Sequence, residues 1–177
     1  MSEVLGEDFE QAFCGVVYSE PQSEAQLWHA DSLHIYDNHG DANLLNGLIA
    51  LHDTPMEMGP TEFNARSHLL TNHRRNTKCD GINIVYQTHL NEPEQIGADP
   101  CANFTMDLPA GSLVLFDDRV LHRGRGNNSD CPRYVGYFSY RRPWFHADTH
   151  FEVRGVGGLV RFECGSRRRC ADPNFIE

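Results

Sequence analysis

The sequence predicts a mainly β domain of the sandwich or barrel class, in its simplest form a jelly roll with few short helices. Short runs rich in β-branched, aromatic and leucine residues recur at close spacing, glycine and proline punctuate them, and helical periodicity is scarce. The runs fall at residues 13–18, 26–36, 44–52, 81–89, 104–108, 112–116 and 133–140. Pro109-Ala110-Gly111 and the segment from Gly124 to Asp130 carry turn chemistry and read as hairpin connections between neighbouring strands. Residues 64–75 are the candidate for a turn or two of helix, and after Pro143 the pattern weakens, so 143–177 reads as a C-terminal extension.

At 177 residues the chain fits one domain, and a domain of this size buries roughly 70% of the surface its unfolded form exposes. It needs neither a disulfide framework nor a structural metal to hold a core. Six cysteines lie far apart with no C-x-x-C pair, which predicts reduced, buried thiols rather than a zinc or redox site. Fifteen basic against 25 acidic residues give a net charge of -10, the wrong sign for a nucleic-acid binder, and Arg167 to Arg169 read as a solvated charge run. No apolar run approaches the length of about 20 residues that a bilayer span needs, and the acidic N-terminus does not match a secretory signal. A cytoplasmic protein without membrane or nucleic-acid partners is expected; the oligomeric state is not legible. Asn127-Asn128-Ser129 and Asn103-Phe104-Thr105 match the glycosylation triplet, which carries weight only in a secreted chain.

The chemistry concentrates at Trp28-His29-Ala30-Asp31. Residues two apart on a strand share a face, so His29 and Asp31 can reach one ion together. His-x-Asp by itself is a weak signal, since the pattern recurs at His146-Ala147-Asp148, and either triplet alone fits a surface or capping pair. A third ligand separates them. His122, in Val120-Leu121-His122-Arg123-Gly124, follows the apolar run 112–116, whereas His146 has only His150 on its own short stretch. Two imidazoles and one carboxylate leave half of the coordination sphere open, as non-haem Fe(II) requires, while a closed zinc site wants a fourth protein ligand. Arg133, eleven residues beyond His122, offers a fork for a carboxylate; alone, it would fit a surface pair with one of the 25 acidic residues.

His29-x-Asp31, His122 and Arg133 in this order resemble the phytanoyl-CoA dioxygenase family of Fe(II) and 2-oxoglutarate dependent oxygenases. Supporting segments agree: Leu48 to Asp53, Gly59 to Phe63 and Ser67-His68, then Leu108 to Asp117, Leu121 to Gly124 and Asn127-x-Ser129. The resemblance covers roughly residues 27–140. It implies a cupin-like double-stranded β-helix, a metal triad of His29, Asp31 and His122, and Arg133 paired with the distal carboxylate of 2-oxoglutarate. Hydroxylation of a small-molecule or lipid-like substrate, with O2 consumed and succinate and CO2 released, is the implied reaction, with ascorbate as a supporting reductant. Halogenation is disfavoured because Asp31 keeps the carboxylate ligand. Three departures stand out: Ala65-Arg66 replaces the usual Pro-Gly before Ser67-His68, Gly124 stands where some members place a serine, and only 28 residues precede the first ligand. The last predicts a single dioxygenase domain over 1–177 that lacks part of the usual N-terminal region. Two rivals follow: a jelly roll that keeps a metal but has lost turnover, and a cupin-like zinc or manganese protein. Trp28, Tyr36, Phe63, Tyr137 and Trp144 are expected to pack the barrel, with Tyr137, four residues on from Arg133 on the same strand face, the one that could line the pocket instead, and the remaining histidines to sit at the surface or in hydrogen-bonded loops.

Overall fold

The computed structural model describes residues 1–31, 40–71, 78–80, 83–85, 89–90 and 93–145. A short helix, α1 (Ser2–Leu5), precedes the strands β1 (Glu10–Ser19), β2 (Trp28–His29), β3 (Leu44–Ala50), β4 (Thr61–Asn64), β5 (Lys78–Asp80), β6 (Asn83–Val85), β7 (His89–Leu90), β8 (Asn103–Phe104), β9 (Leu113–Asp117), β10 (His122–Gly124) and β11 (Arg133–Arg141). Two antiparallel sheets result, one ordered β1-β11-β3-β9 and the other β7-β2-β10-β4-β8, with β5 and β6 forming a separate pair. The mainly β expectation holds: this is a jelly roll, and its helical content among the described residues is α1 and a few 3-10 turns.

Strand connectivity corrects the hairpin reading. From β1 to β4, and again from β8 to β11, each strand lies in the sheet opposite to the one before it. Residues 109–111 and 125–132 are therefore crossovers between sheets. Turn chemistry dictates that the chain reverses; it does not dictate which strand the returning segment pairs with, and here burial between two facing sheets decides. The expected helix at 64–75 is, within its described part, a single 3-10 turn at Ser67–Leu69. Strand β4 escaped notice because Thr61-Glu62-Phe63-Asn64 is short and half polar; pairing with β10 and β8 on its two sides makes it a strand.

Alternation along the strands sorts the side chains. On β10 and β2, His122 and His29 face the opposite sheet, while Leu121 and Trp28 point outward and bury against Ala98. Arg123, also outward, pairs with Glu62 at 2.8 Å and lies over the Trp28 ring, 4.7 Å from its centroid. Trp28 and Phe63 thus pack the protein as expected, whereas Trp144 is exposed. The thiol expectation fails at Cys101 and Cys131, which are free but exposed, because one lies in a surface 3-10 turn and the other in the crossover before β11. Asn127 is fully buried, its amide donating to the Cys131 carbonyl at 2.8 Å, so the Asn127 triplet is a turn-forming element rather than a glycan acceptor. Tyr36, His34, His39, His73, His146 and His150, the Arg167 to Arg169 run and all of 146–177 lie outside the described residues.

The break between β9 and β10 is a clamp. Arg119 donates through Nε to Asp117 Oδ1 at 2.8 Å and through Nη2 to Oδ2 at 2.6 Å, a bidentate pair that is largely shielded from water. Burial pushes the Asp117 pKa up, but the hydrogen bonds and charge of Arg119 more than offset this and hold it below the ordinary carboxylate value. Arg119→Met should cost about 2 kcal/mol in urea denaturation at pH 7, because the half-buried Asp117 loses its cation and keeps only the backbone N–H of residue 119. Asp117 is depressed in the folded state, so its stabilising share is present above the unfolded pKa and lost on acidification through the lower folded value. The gap between wild type and variant should therefore narrow as pH falls through 4 to 3; a gap constant with pH would refute the clamp.

Candidate metal centre

His29 and His122 are direct cross-strand partners on β2 and β10, with ring centroids 4.5 Å apart. Asp31 follows two residues after His29, its backbone N–H held by the Asp118 carbonyl at 2.8 Å. The carboxylate stands 3.7 Å from His29 Nε2 and 3.4 Å from His122 Nε2, and one ligand atom from each of the three lies within 4.8 Å of the others. Among the described residues this is the group of His, Cys, Asp and Glu side chains close enough to share an ion.

The imidazoles are fixed in orientation by their own backbone. His29 Nδ1 lies 2.8 Å from the Leu27 carbonyl and His122 Nδ1 lies 2.9 Å from the Val120 carbonyl. A carbonyl only accepts, so each Nδ1 carries the hydrogen and each Nε2 turns a lone pair toward Asp31. Phe116, from the opposite sheet, and Phe63, the cross-strand partner on β4, flank the His122 ring, with centroids at 4.8 and 5.9 Å. The donor set, two neutral nitrogens and one carboxylate with fixed orientation, fits a divalent transition metal with open positions.

Asp31 is held from the facing sheet. Asn46 Nδ2 donates to Asp31 Oδ2 at 2.5 Å, and Ser139 Oγ donates in turn to Asn46 Oδ1. Both are buried, on β3 and β11. The sequence reading passed over them, although a lone polar residue inside the apolar run Leu44-Leu45-Asn46-Gly47-Leu48-Ile49 was a usable signal. Asn46→Ala frees the carboxylate to rotate, and metal affinity should fall roughly 10- to 100-fold, as for other lost outer partners. Anaerobic metal titration checks this; unchanged affinity would reduce Asn46 to packing. Ser67, within the segment flagged at Ser67-His68, is a second support: its hydroxyl donates to the Asn64 carbonyl at 2.8 Å and accepts from Leu121 N–H at 2.7 Å, next to His122.

Arg133 opens β11 with 4% of its surface exposed and no carboxylate partner among the described residues. Its Nη1 donates to the Met58 carbonyl at 3.2 Å and the Arg125 carbonyl at 3.4 Å, and its Nη2 donates to Ser19 Oγ at 2.6 Å. Gly59, at φ 69, permits the tight turn after Met58, where a Cβ would strike the Gly126 carbonyl oxygen. Among the described residues Nε has no partner and one Nη2 hydrogen remains, so one edge of the fork is unused by them. Burial pushes the guanidinium pKa down to about 10, leaving it charged at neutral pH. That edge lies near Gly124, two residues from His122 on the same face of β10.

Arg66 is exposed, with a left-handed backbone at φ 65. His52 is a structural histidine: its Nε2 accepts from Tyr134 N–H at 3.0 Å and its Nδ1 donates to the Asp53 carbonyl at 2.8 Å.

A jelly roll with two histidines and a carboxylate converging between its sheets defines the class of non-haem metal oxygenase folds. The phytanoyl-CoA dioxygenase (PhyH) family model matches residues 3–135, and the chain belongs to that family. Solved structures of the same fold include ThoJ, a non-heme monooxygenase, at 20% identity and TM-score 0.59, covering 93% of this chain and 61% of that one. AviO1 from Streptomyces viridochromogenes Tue57 matches at 20% identity and TM-score 0.57, covering 81% and 55%. SnoN, a non-heme alpha ketoglutarate dependent epimerase from nogalamycin biosynthesis, matches at 21% and 0.58, covering 80% and 52%; it has also been solved with Fe3+, alpha ketoglutarate and nogalamycin RO. The chain spans roughly half to two-thirds of the length of these structures. No helix among the described residues is long and apolar enough to cross a membrane.

Proposed function

We propose that the protein is an Fe(II) and 2-oxoglutarate dependent oxygenase that hydroxylates a small-molecule or lipid-like substrate, with His29, Asp31 and His122 as metal ligands and Arg133 as the receptor for the distal carboxylate of 2-oxoglutarate. The observation that carries this reading is the pairing of the preset triad with a buried arginine whose free edge faces the same interior. An arginine without an acidic partner is costly to bury, and an anionic ligand offsets that cost. Gly124 lies two residues along β10 from His122, about 6.6 Å of strand rise, which suits a five-carbon dicarboxylate spanning metal and arginine.

Each side chain has a defined task. The Leu27 and Val120 carbonyls hold both imidazoles in the ligating tautomer, Asn46 and Ser139 orient Asp31, and Phe63 and Phe116 keep water from one side of His122. Arg133 selects a cosubstrate with a second carboxylate. Bound iron would supply the activation of O2 that couples decarboxylation of 2-oxoglutarate to oxidation of a substrate C–H bond. That SnoN is described as an epimerase and ThoJ as a monooxygenase makes the outcome at carbon, hydroxylation or another oxidation, the point for product analysis. The test is succinate formation by the chain with Fe(II), O2, ascorbate and 2-oxoglutarate. Iron-dependent succinate is expected; its absence, even as slow uncoupled turnover, would favour a metal-binding jelly roll without activity.

A further inference from the structure

We infer that Arg119 is a positioning residue of the metal centre: by locking the turn from Asp117 to Val120 it aims one backbone carbonyl at the Asp31 N–H and another at the His122 ring. The inference rests on the metal assignment proposed above and adds the device that holds ligands from two strands in one place.

The turn joins β9 to β10. Its closing bond runs from Val120 N–H to the Asp117 carbonyl at 2.9 Å, and the side chain of its third residue folds back on the first. Arg119 Nε and Nη2 donate to the two Asp117 carboxylate oxygens, and Arg119 N–H donates to Oδ1 at 3.0 Å. Backbone bond and bidentate pair thus fix the same short loop, with the guanidinium buried.

The carbonyls that follow are spent on other segments. Asp118 accepts from Asp31 N–H at 2.8 Å and Arg119 from the Thr71 hydroxyl at 2.7 Å. Val120 accepts from His122 Nδ1 at 2.9 Å and Leu121 from Asn64 N–H at 2.9 Å. Backbone dihedrals set where each carbonyl points, so a twist of the turn displaces Asp31 and frees the His122 ring together. Asp31 depends on this bond because β2 ends at His29 and leaves the aspartate beyond the strand pairing.

Two more contacts converge on the turn. Arg119 Nη2 also donates to the Gly40 carbonyl at 3.1 Å, so Asp31 and Gly40, which bracket residues 32–39, are tied to one connection. Phe116, just before the turn, is the cross-strand partner of Asn46, whose amide holds Asp31 Oδ2. The backbone and the carboxylate of Asp31 are therefore both referred to the β9 end that Arg119 locks.

The experiment titrates Mn(II) into metal-free protein by calorimetry and records the EPR spectrum of the bound ion. Arg119→Met should raise the Mn(II) Kd about tenfold, as loss of an outer partner does, and should broaden the spectrum because the ligands then sample a spread of positions. Arg119→Lys keeps the charge but not the planar fork, so it should fall between wild type and Arg119→Met in both readouts. Asn127→Ala is the matched control: it removes a buried hydrogen-bonding side chain in the crossover before β11, and it should lose stability in urea while keeping the wild-type Kd and line shape. A Kd within twofold of wild type in both Arg119 variants, or an equal rise in Asn127→Ala, would overturn this inference alone, since the clamp would then serve only the fold. Should Arg119→Met fail to fold, Arg119→Lys decides: a raised Kd with a broadened spectrum supports the inference, and wild-type values refute it. Wild type that binds Mn(II) no more tightly than Asp31→Ala would overturn the metal assignment and this inference together.

Discussion

His122→Ala will abolish tight Fe(II) binding, raising the Kd in anaerobic titration by more than the 10- to 100-fold that loss of an outer partner costs. The size of the effect follows from the geometry. On the proposed assignment, His122 is the ligand that β10 carries to the pair on the β2 side, and with it gone the ion would keep one imidazole and one carboxylate. Its ring is also the best buried of the three, walled by Phe63 and Phe116 and fixed through Nδ1 to Val120, so no neighbouring nitrogen can replace it. His52→Ala is the matched control, because both nitrogens of that ring are spent on Tyr134 and Asp53. A His122→Ala protein that still showed the visible band formed when 2-oxoglutarate chelates Fe(II) would sink the ligand assignment.

Arg133→Met will weaken 2-oxoglutarate binding by about 2 to 4 kcal/mol, on the order of 30- to 1000-fold, since a charge-assisted bidentate contact is lost. Arg133→Lys should recover only part of this, because an ammonium keeps the charge but not the planar fork. A further sign can be checked. Burial lowers the folded pKa of Arg133 to about 10, below its ordinary value, so the charged group opposes folding at neutral pH, and that penalty is relieved only as pH rises through 10. A bound carboxylate offsets the same penalty. Saturating 2-oxoglutarate should therefore raise the Tm of metal-loaded wild type and leave that of Arg133→Met nearly unchanged. Equal shifts in both proteins would move Arg133 to a purely structural role.

Much of the site was readable beforehand because its parts are local. His29 and Asp31 are two apart, and strand alternation alone sets them on one face. Arg133 was legible from its spacing to His122 together with the family resemblance. The supports were not. Asn46, Ser139 and Ser19 are ordinary polar residues whose contacts with Asp31 and Arg133 exist only because β3, β11 and β1 come together in the fold. The clamp of Asp117 and Arg119 is equally hidden, since nothing in Asp117-Asp118-Arg119 says that the arginine folds back on the aspartate.

From sequence alone came the β class, the acidic balance, the triad and its arginine, for these depend on composition, on a period of two and on ordered motifs. Tertiary structure decided that the strands alternate between sheets rather than forming hairpins, that Trp28 and Leu121 bury outward while their neighbouring histidines turn inward, and that the arginine is buried with no acidic partner among the described residues. The physical reason is range. Backbone preferences act over a few residues, whereas burial and hydrogen-bond satisfaction are settled only when segments as distant as Ser19 and Arg133 share one low-dielectric interior.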